Sequence, residues 1–114
     1  MRHIYLIFLA LVFVGVAMAH AASEIELSFD KETSTLTVIA KHSVKNASDH
    51  YIDEITVELN GKKIITQTFK MQTDDNGQEV IYIIIDAKDG DTIEVSTNCN
   101  KFGKKKTKLV VGAS

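Results

Sequence analysis

The chain has 114 residues, a formal net charge of −2 and a single cysteine. This length suffices for one small domain with an ordinary hydrophobic core. The near balance of acidic and basic residues argues against a nucleic-acid-binding protein, whose phosphate contacts need a basic face, and a lone cysteine excludes a fold held together by disulfides within the chain.

The first twenty residues have the pattern of an export signal. Arg2 precedes the apolar run Ile4 to Val16, and the small-x-small triplets Ala17-Met18-Ala19 and Ala19-His20-Ala21 follow. The apolar run is shorter than the roughly 20 residues of a membrane-spanning helix, which favours a cleaved signal over an uncleaved anchor. We predict a cleaved signal peptide over residues 1–22, a single domain over residues 23–114, and a periplasmic or secreted protein that has no membrane attachment after cleavage.

The rest of the chain alternates apolar and polar residues with the period of β-strands. Seven strands are predicted, at residues 24–29, 35–41, 51–59, 63–69, 79–85, 92–99 and 105–111. Asn60-Gly61 predicts a tight hairpin of the primed type between the third and fourth strands. The predicted fold is all-β, an immunoglobulin-like antiparallel β-sandwich of about seven strands, with a small closed barrel as the alternative.

Reversal of direction at each strand places three loops at the same end of such a sandwich. They follow the second, fourth and sixth strands, at residues 42–50, 70–78 and 98–104. His42 continues the inward-facing alternation of the second strand, and Cys99 continues that of the sixth. His50 comes just before the third strand, so we expect His42, His50 and Cys99 to meet at this end.

Two imidazoles and a thiolate form a ligand set for iron, copper or zinc. Metal binding would also explain a lone thiol in an oxidising compartment, because the coordinated sulfur is held as a thiolate. The alternative is that Cys99 is a small buried hydrophobic residue and that no metal is bound.

Two segments resemble superoxide reductases, the iron-binding domains of desulfoferrodoxin and neelaredoxin. They are HSVKNASDHYIDEITVELNG, residues 42–61, and CNKFG, residues 99–103. In that family an immunoglobulin-like domain holds ferrous iron through four histidines and an axial cysteine, and it reduces superoxide to hydrogen peroxide with electrons from a donor. The resemblance implies that His42 and His50 are equatorial ligands and that Cys99 is the axial thiolate. It also implies that Lys41 supplies positive charge for an incoming anion.

The match to that ligand set is incomplete. Phe102 stands where the family has its last histidine, and residues 23–40 contain no histidine to match the N-terminal one. Cleavage after Ala19 would leave His20 at the amino terminus, where its imidazole and its amine are additional candidate ligands. The resemblance therefore implies at most three of the five ligands, with superoxide reduction altered or lost.

A second resemblance is to SoxZ, a subunit of the periplasmic sulfur-oxidising system. It rests on His42, on His50-Tyr51-Ile52 and on Val57-Glu58-Leu59-Asn60-Gly61-Lys62. It implies a binding subunit whose partner is a SoxY-like protein with a cysteine-bearing tail. A third hypothesis is a non-catalytic interaction module in which the two histidines and the cysteine are structural.

Overall fold

A computed structural model describes residues 21–113, which form two antiparallel sheets facing each other. The strands are β1 (Glu24–Asp30), β2 (Thr35–Lys41), β3 (Ile52–Leu59), β4 (Lys62–Thr68), β5 (Gly77–Ile83), β6 (Thr92–Cys99) and β7 (Lys104–Val110). One sheet has the order β1-β2-β5 and the other the order β4-β3-β6-β7. The predicted seven-stranded antiparallel sandwich is confirmed.

The core lies between β2 in one sheet and β3 and β6 in the other, because each of these strands has a neighbour on both sides. Their inward-facing residues alternate with outward-facing ones, as the period of a strand requires. The buried residues of β2 and β6 are Leu36, Val38, Ala40, Ile93, Val95, Thr97 and Cys99. The two inward-facing series that end at His42 and Cys99 are therefore both confirmed.

Backbone conformation determines the β3–β4 turn and the start of β5. Asn60 and Gly61 have φ values of 51° and 85°, so the β3–β4 hairpin is the predicted primed turn. Strand β5 begins at Gly77, two residues before its predicted start. A side chain there would place its Cβ 2.2 Å from the carbonyl oxygen of Ala40, so only glycine allows the two strands to approach this closely.

A β-bulge interrupts the alternation at the start of β3. Ile52 lies opposite Cys99 and Glu54 lies opposite Asn98, so Asp53 is an extra residue on β3. Strict alternation from Ile55 would turn Ile52 outward, whereas the bulge brings it into the core, where it is fully buried. The bulge therefore directs the chain before β3 toward the end of β6.

The predicted signal peptide lies outside the described residues except for Ala21 and Ala22. Ala22 is buried in the core, and the next residue, Ser23, donates its N–H to the carbonyl oxygen of Lys41 at 2.8 Å. Residues just before the predicted start of the domain thus belong to its packing. In the described part of the chain no helix has the length and apolar character needed to cross a membrane.

Candidate metal centre

The site lies at the end of the sandwich where β2 and β6 finish and β3 starts, which we call the His–Cys pole. His42 directly follows β2, Cys99 ends β6, and His50 comes two residues before β3. The ligand atoms of the three side chains lie within 4.8 Å of one another. The structure therefore brings together the three residues that the sequence analysis singled out as ligands.

His42 is buried, and Gln72 determines its orientation. The Nε2 of Gln72 donates to the carbonyl oxygens of His42, at 3.1 Å, and Asp74, at 3.0 Å. Its Oε1 accepts the N–H of Ile52 at 3.0 Å and also contacts Nδ1 of His42. If the oxygen and nitrogen of the Gln72 amide were exchanged, the oxygen would face two carbonyl oxygens and the nitrogen would face the N–H of Ile52. The network therefore fixes the orientation of the amide.

The amide orientation in turn fixes the histidine tautomer. Because Oε1 of Gln72 can only accept, Nδ1 of His42 must carry the proton and donate it. In the neutral ring the lone pair that can bind a metal is then on Nε2. A polar group that holds the second ring nitrogen in this way is the usual arrangement around a metal-binding histidine.

Cys99 and His50 are in direct contact. Nε2 of His50 lies 3.2 Å from the sulfur of Cys99, and the backbone N–H of Lys101 donates to the same sulfur at 3.4 Å. The donor of the His50–Cys99 hydrogen bond is either the thiol or the ring N–H, depending on the tautomer of the histidine. A metal binds the thiolate, so binding to both atoms would release the thiol proton.

His50 is positioned by its backbone neighbours. The carbonyl oxygen of Asn46 accepts the N–H groups of Asp49 and His50, both at 3.0 Å. The side chain of Asn100 accepts the N–H of Tyr51 at 2.8 Å and donates to the carbonyl oxygen of Asp49 at 3.0 Å. The residues on either side of His50 are thus tied to the turn that follows Cys99.

The spacing of the donors is close to that of a metal site. With metal–nitrogen bonds of about 2.0–2.1 Å and metal–sulfur bonds of about 2.3 Å, ligand atoms in a tetrahedral site lie roughly 3.5 Å apart. The His50–Cys99 pair is already near this separation at 3.2 Å. The rings of His42 and His50 are perpendicular, at 87°, with centroids 4.8 Å apart. A closure of about 1 Å would complete a three-ligand site, so the residues fit the ion that the sequence analysis proposed.

Lys41 is not part of this cluster. Its Nζ lies 3.1 Å from Oε2 of Glu26 and 3.6 Å from Oε1 of Glu24, on the face of the sheet opposite to His42. The hydrogen bond to Glu26, together with the charges of both glutamates, raises the pKa of Lys41 above its usual value. A role for Lys41 in attracting an anion stays a prediction.

Phe102 lies in the turn after Cys99 and is 67% exposed. Its ring offers no atom that binds a metal, so Phe102 cannot take the place of the histidine that the resemblance to superoxide reductases would require. The predicted ligand His20 lies outside the described residues. Its neighbour Ala21 lies against Gly103, whose carbonyl oxygen accepts the N–H of Cys99 at 2.9 Å.

The residues that support the ligands could not be identified from the sequence. Gln72 and Asn100 stand in polar loops where nothing in the pattern marks one side chain as buried and the others as exposed. The bulge at Asp53 has no sequence signal either, apart from the apolar Ile52 standing out of phase with Ile55. Such a phase break before a strand is the one feature that predicts a bulge.

Comparison of the chain with protein-family models finds no matching family, and a search of curated proteins finds no match. The resemblances to superoxide reductases and to SoxZ therefore stay hypotheses.

Proposed function

We propose that this protein is an exported metal-binding protein that holds one transition-metal ion through His42, His50 and Cys99. The observation that supports it is the convergence of three ligand atoms within 4.8 Å at one end of the sandwich. The three residues come from separate parts of the chain, and two of them are buried. Burying polar side chains costs free energy unless they have polar partners, and a bound metal would be such a partner for all three residues.

The surroundings of the three residues agree with this function. Gln72 holds His42 as the tautomer that presents Nε2 to a metal. The N–H of Lys101 contacts the sulfur of Cys99, as hydrogen bonds to metal-bound sulfur commonly do. These contacts restrict both ligands before any ion arrives, and a preorganised site loses less entropy on binding.

The chemistry of the donor set suits several metals. Thiolate and imidazole together bind zinc, copper and iron, and the resemblance to superoxide reductases favours iron. A bound ion would supply Lewis acidity or one-electron chemistry at positions that the three residues do not fill. Because only three of the five ligands of that family are matched, the proposal is metal binding, and superoxide reduction is a separate question for an activity assay.

The test is an anaerobic titration of the metal-free protein with Fe²⁺, Cu⁺ and Zn²⁺ in turn. The wild type should bind about one ion per chain, and Cys99→Ser should weaken binding at least about 100-fold. In His42→Asn the amide nitrogen can still donate to Gln72 while the Nε2 ligand is lost, so binding should also fall although the fold is kept. Oxidised iron and Cu²⁺ forms should show thiolate charge-transfer absorption that is absent from Cys99→Ser.

A matched control changes the core beside the site without removing a ligand. Thr97 is buried two residues before Cys99 in the same inward-facing series, and its hydroxyl donates to the carbonyl oxygen of Lys105 at 3.3 Å. Thr97→Val should bind metal as the wild type does. Wild-type protein that takes up no stoichiometric ion, or a Cys99→Ser variant that binds normally, would contradict the proposal.

A SoxZ-like binding subunit is the second candidate, and the exposed Phe102 favours it. An exposed aromatic ring at the pole is a contact that a protein partner can bury. Under this hypothesis a pull-down from cells that oxidise thiosulfate should recover a partner with a cysteine-bearing tail, and Phe102→Ala should reduce the recovery. Recovery of no such partner would remove this candidate.

A further inference from the structure

The two open sheets leave four edge strands, β1 and β5 in one sheet and β4 and β7 in the other. Three of these edges carry charged, exposed residues of the kind that prevents edge-to-edge pairing. These residues are Glu24, Glu26 and Asp30 on β1, Lys62 and Lys63 on β4, and Lys104, Lys105, Lys106 and Lys108 on β7. The fourth edge, β5, has no charge between Glu79 and Asp86.

Strand β5 instead carries exposed isoleucines on its outer face. Ile81 and Ile83 are each 61% exposed, and Ile85, just beyond the strand, is 84% exposed. We call these three residues the isoleucine stripe. Three large apolar residues in a row on an unprotected edge are unusual for a protein that remains alone in solution.

The backbone of β5 also has unpaired hydrogen-bonding groups on this edge. Successive residues of an antiparallel strand direct their N–H and C=O to opposite sides. The carbonyl oxygen of Asn76 accepts the N–H of His42 and the N–H of Ile84 donates to Ser34, so the even-numbered residues face β2. Ile81 and Ile83 therefore direct their backbone groups away from the sheet.

Earlier odd-numbered residues of β5 are capped on that side by the preceding turn. Gly77 exchanges backbone hydrogen bonds with Asp74, and the N–H of Glu79 donates to the hydroxyl of Thr73. No such cap extends further: within residues 21–113, the outward N–H and C=O groups of Ile81 and Ile83 have no hydrogen-bond partner. The unpaired backbone groups thus belong to Ile81 and Ile83, two residues of the isoleucine stripe.

We propose that two copies of this chain pair through β5, antiparallel and about a twofold axis at Tyr82. In this register Ile81 lies opposite Ile83 of the second copy, and their backbone groups can exchange both hydrogen bonds. The symmetry repeats this pair on the other side of the axis, so two three-stranded sheets become one six-stranded sheet. This inference does not depend on the metal site.

The sequence of β5 favours a second copy over an unrelated partner because it is self-complementary. About Tyr82, Val80 faces Ile84 and Ile81 faces Ile83, so apolar residues meet apolar ones in both strands. Thr73 already covers the outward N–H of Glu79, so the pairing runs over residues 80–84, none of which is charged, and no like charges face each other. Each isoleucine pair also places β-branched side chains opposite each other, which stabilises antiparallel sheets.

The test is the molar mass of the untagged chain without residues 1–19, measured by sedimentation equilibrium from low to high micromolar concentration. The wild type should be a dimer at the upper concentrations, with and without reductant, since Cys99 is buried and is not the link. Ile83→Lys should be a monomer throughout, because two lysines would lie beside the axis. Ile64→Lys, on the β4 edge, is the matched control and should dimerise as the wild type does.

Amide hydrogen exchange keeps the proposal testable if Ile83→Lys folds poorly. The amides of Ile81 and Ile83 should be protected at dimer concentrations and should lose that protection on dilution, while amides of β2 stay protected. A wild type that is monomeric at every concentration overturns the proposal. So does a dimer in which the amides of Ile81 and Ile83 exchange freely.

Discussion

A substitution of the buried Gln72 tests what this side chain contributes to the stability of the fold and what it contributes to metal binding. It is only 1% exposed. Replacing it with methionine keeps the length of the side chain, so little cavity forms, but it removes the hydrogen bonds that Gln72 makes to three backbone groups. These are the N–H of Ile52 and the carbonyl oxygens of His42 and Asp74.

The expected cost follows from those groups. Loss of a hydrogen bond to a buried polar group costs about 1–3 kcal/mol, and the Asp74 carbonyl falls at the low end because it still accepts the N–H of Gly77. Gln72→Met should therefore lower the free energy of unfolding by about 3 kcal/mol, a large part of the roughly 5–15 kcal/mol of a small domain. Urea unfolding of the metal-free protein, followed by circular dichroism, should show this as a lower midpoint with an unchanged slope.

Gln78 provides a matched control for the metal site. It is also buried and makes four hydrogen bonds, accepting from the N–H and hydroxyl of Thr73 and donating to the carbonyl oxygens of Ile52 and Met71. Gln78→Met should cost stability by a similar mechanism, about 2–3 kcal/mol, yet it leaves the His42 ring held in place.

The two variants should differ in metal affinity. Gln72→Met should weaken metal binding about 10–100-fold because His42 loses the group that fixes its tautomer. Gln78→Met should leave the affinity of the folded protein unchanged. The reasoning is refuted if Gln72→Met costs less than about 1 kcal/mol, or if both variants weaken metal binding equally.

Three further outcomes are expected. Burial raises the pKa of Tyr82 from its usual 10.0 to about 12. The contribution of the buried, neutral Tyr82 to stability is therefore complete below pH 10 and is lost as the pH rises through about 12. Tyr82→Phe should remove a late tyrosinate step from an ultraviolet titration. Gly77→Ala should destabilise the fold by about 2 kcal/mol or more, because its Cβ would lie 2.2 Å from the Ala40 oxygen. Gly90→Ala, in open space at a φ of +89°, should cost only about 1 kcal/mol, and equal urea midpoints would contradict this comparison. If the protein is exported and its signal is removed, as we propose, its intact mass should include Ala22, since that residue is buried in the core; a mass without it would count against this packing.

The number of strands, their positions along the chain and the end of the sandwich where His42 and Cys99 meet could all be predicted from the sequence. Each depends on the residue pattern within one strand or one turn. Alternation in β2 and β6 places His42 and Cys99 on the inner face, and Asn60-Gly61 between two strands strongly favours a primed hairpin. The meeting of His42 and Cys99 then needs only that each strand reverses direction.

The support around the ligands could not be predicted, because it depends on contacts between distant parts of the chain. The bulge at Asp53 exists only in the pairing of β3 with β6. Gln72 is buried because its loop crosses from one sheet to the other and covers Ile52. The exposure of the isoleucine stripe could not be predicted either, because only the sheet order shows that β5 is an edge.

Elemental analysis measures directly whether His42, His50 and Cys99 bind a metal. The protein should be purified without a tag from its native compartment, together with Cys99→Ser and Thr97→Val. We expect about one transition-metal ion per chain in the wild type and in Thr97→Val, and almost none in Cys99→Ser. Wild-type protein without stoichiometric metal, or equal metal in all three proteins, would contradict metal binding at this site.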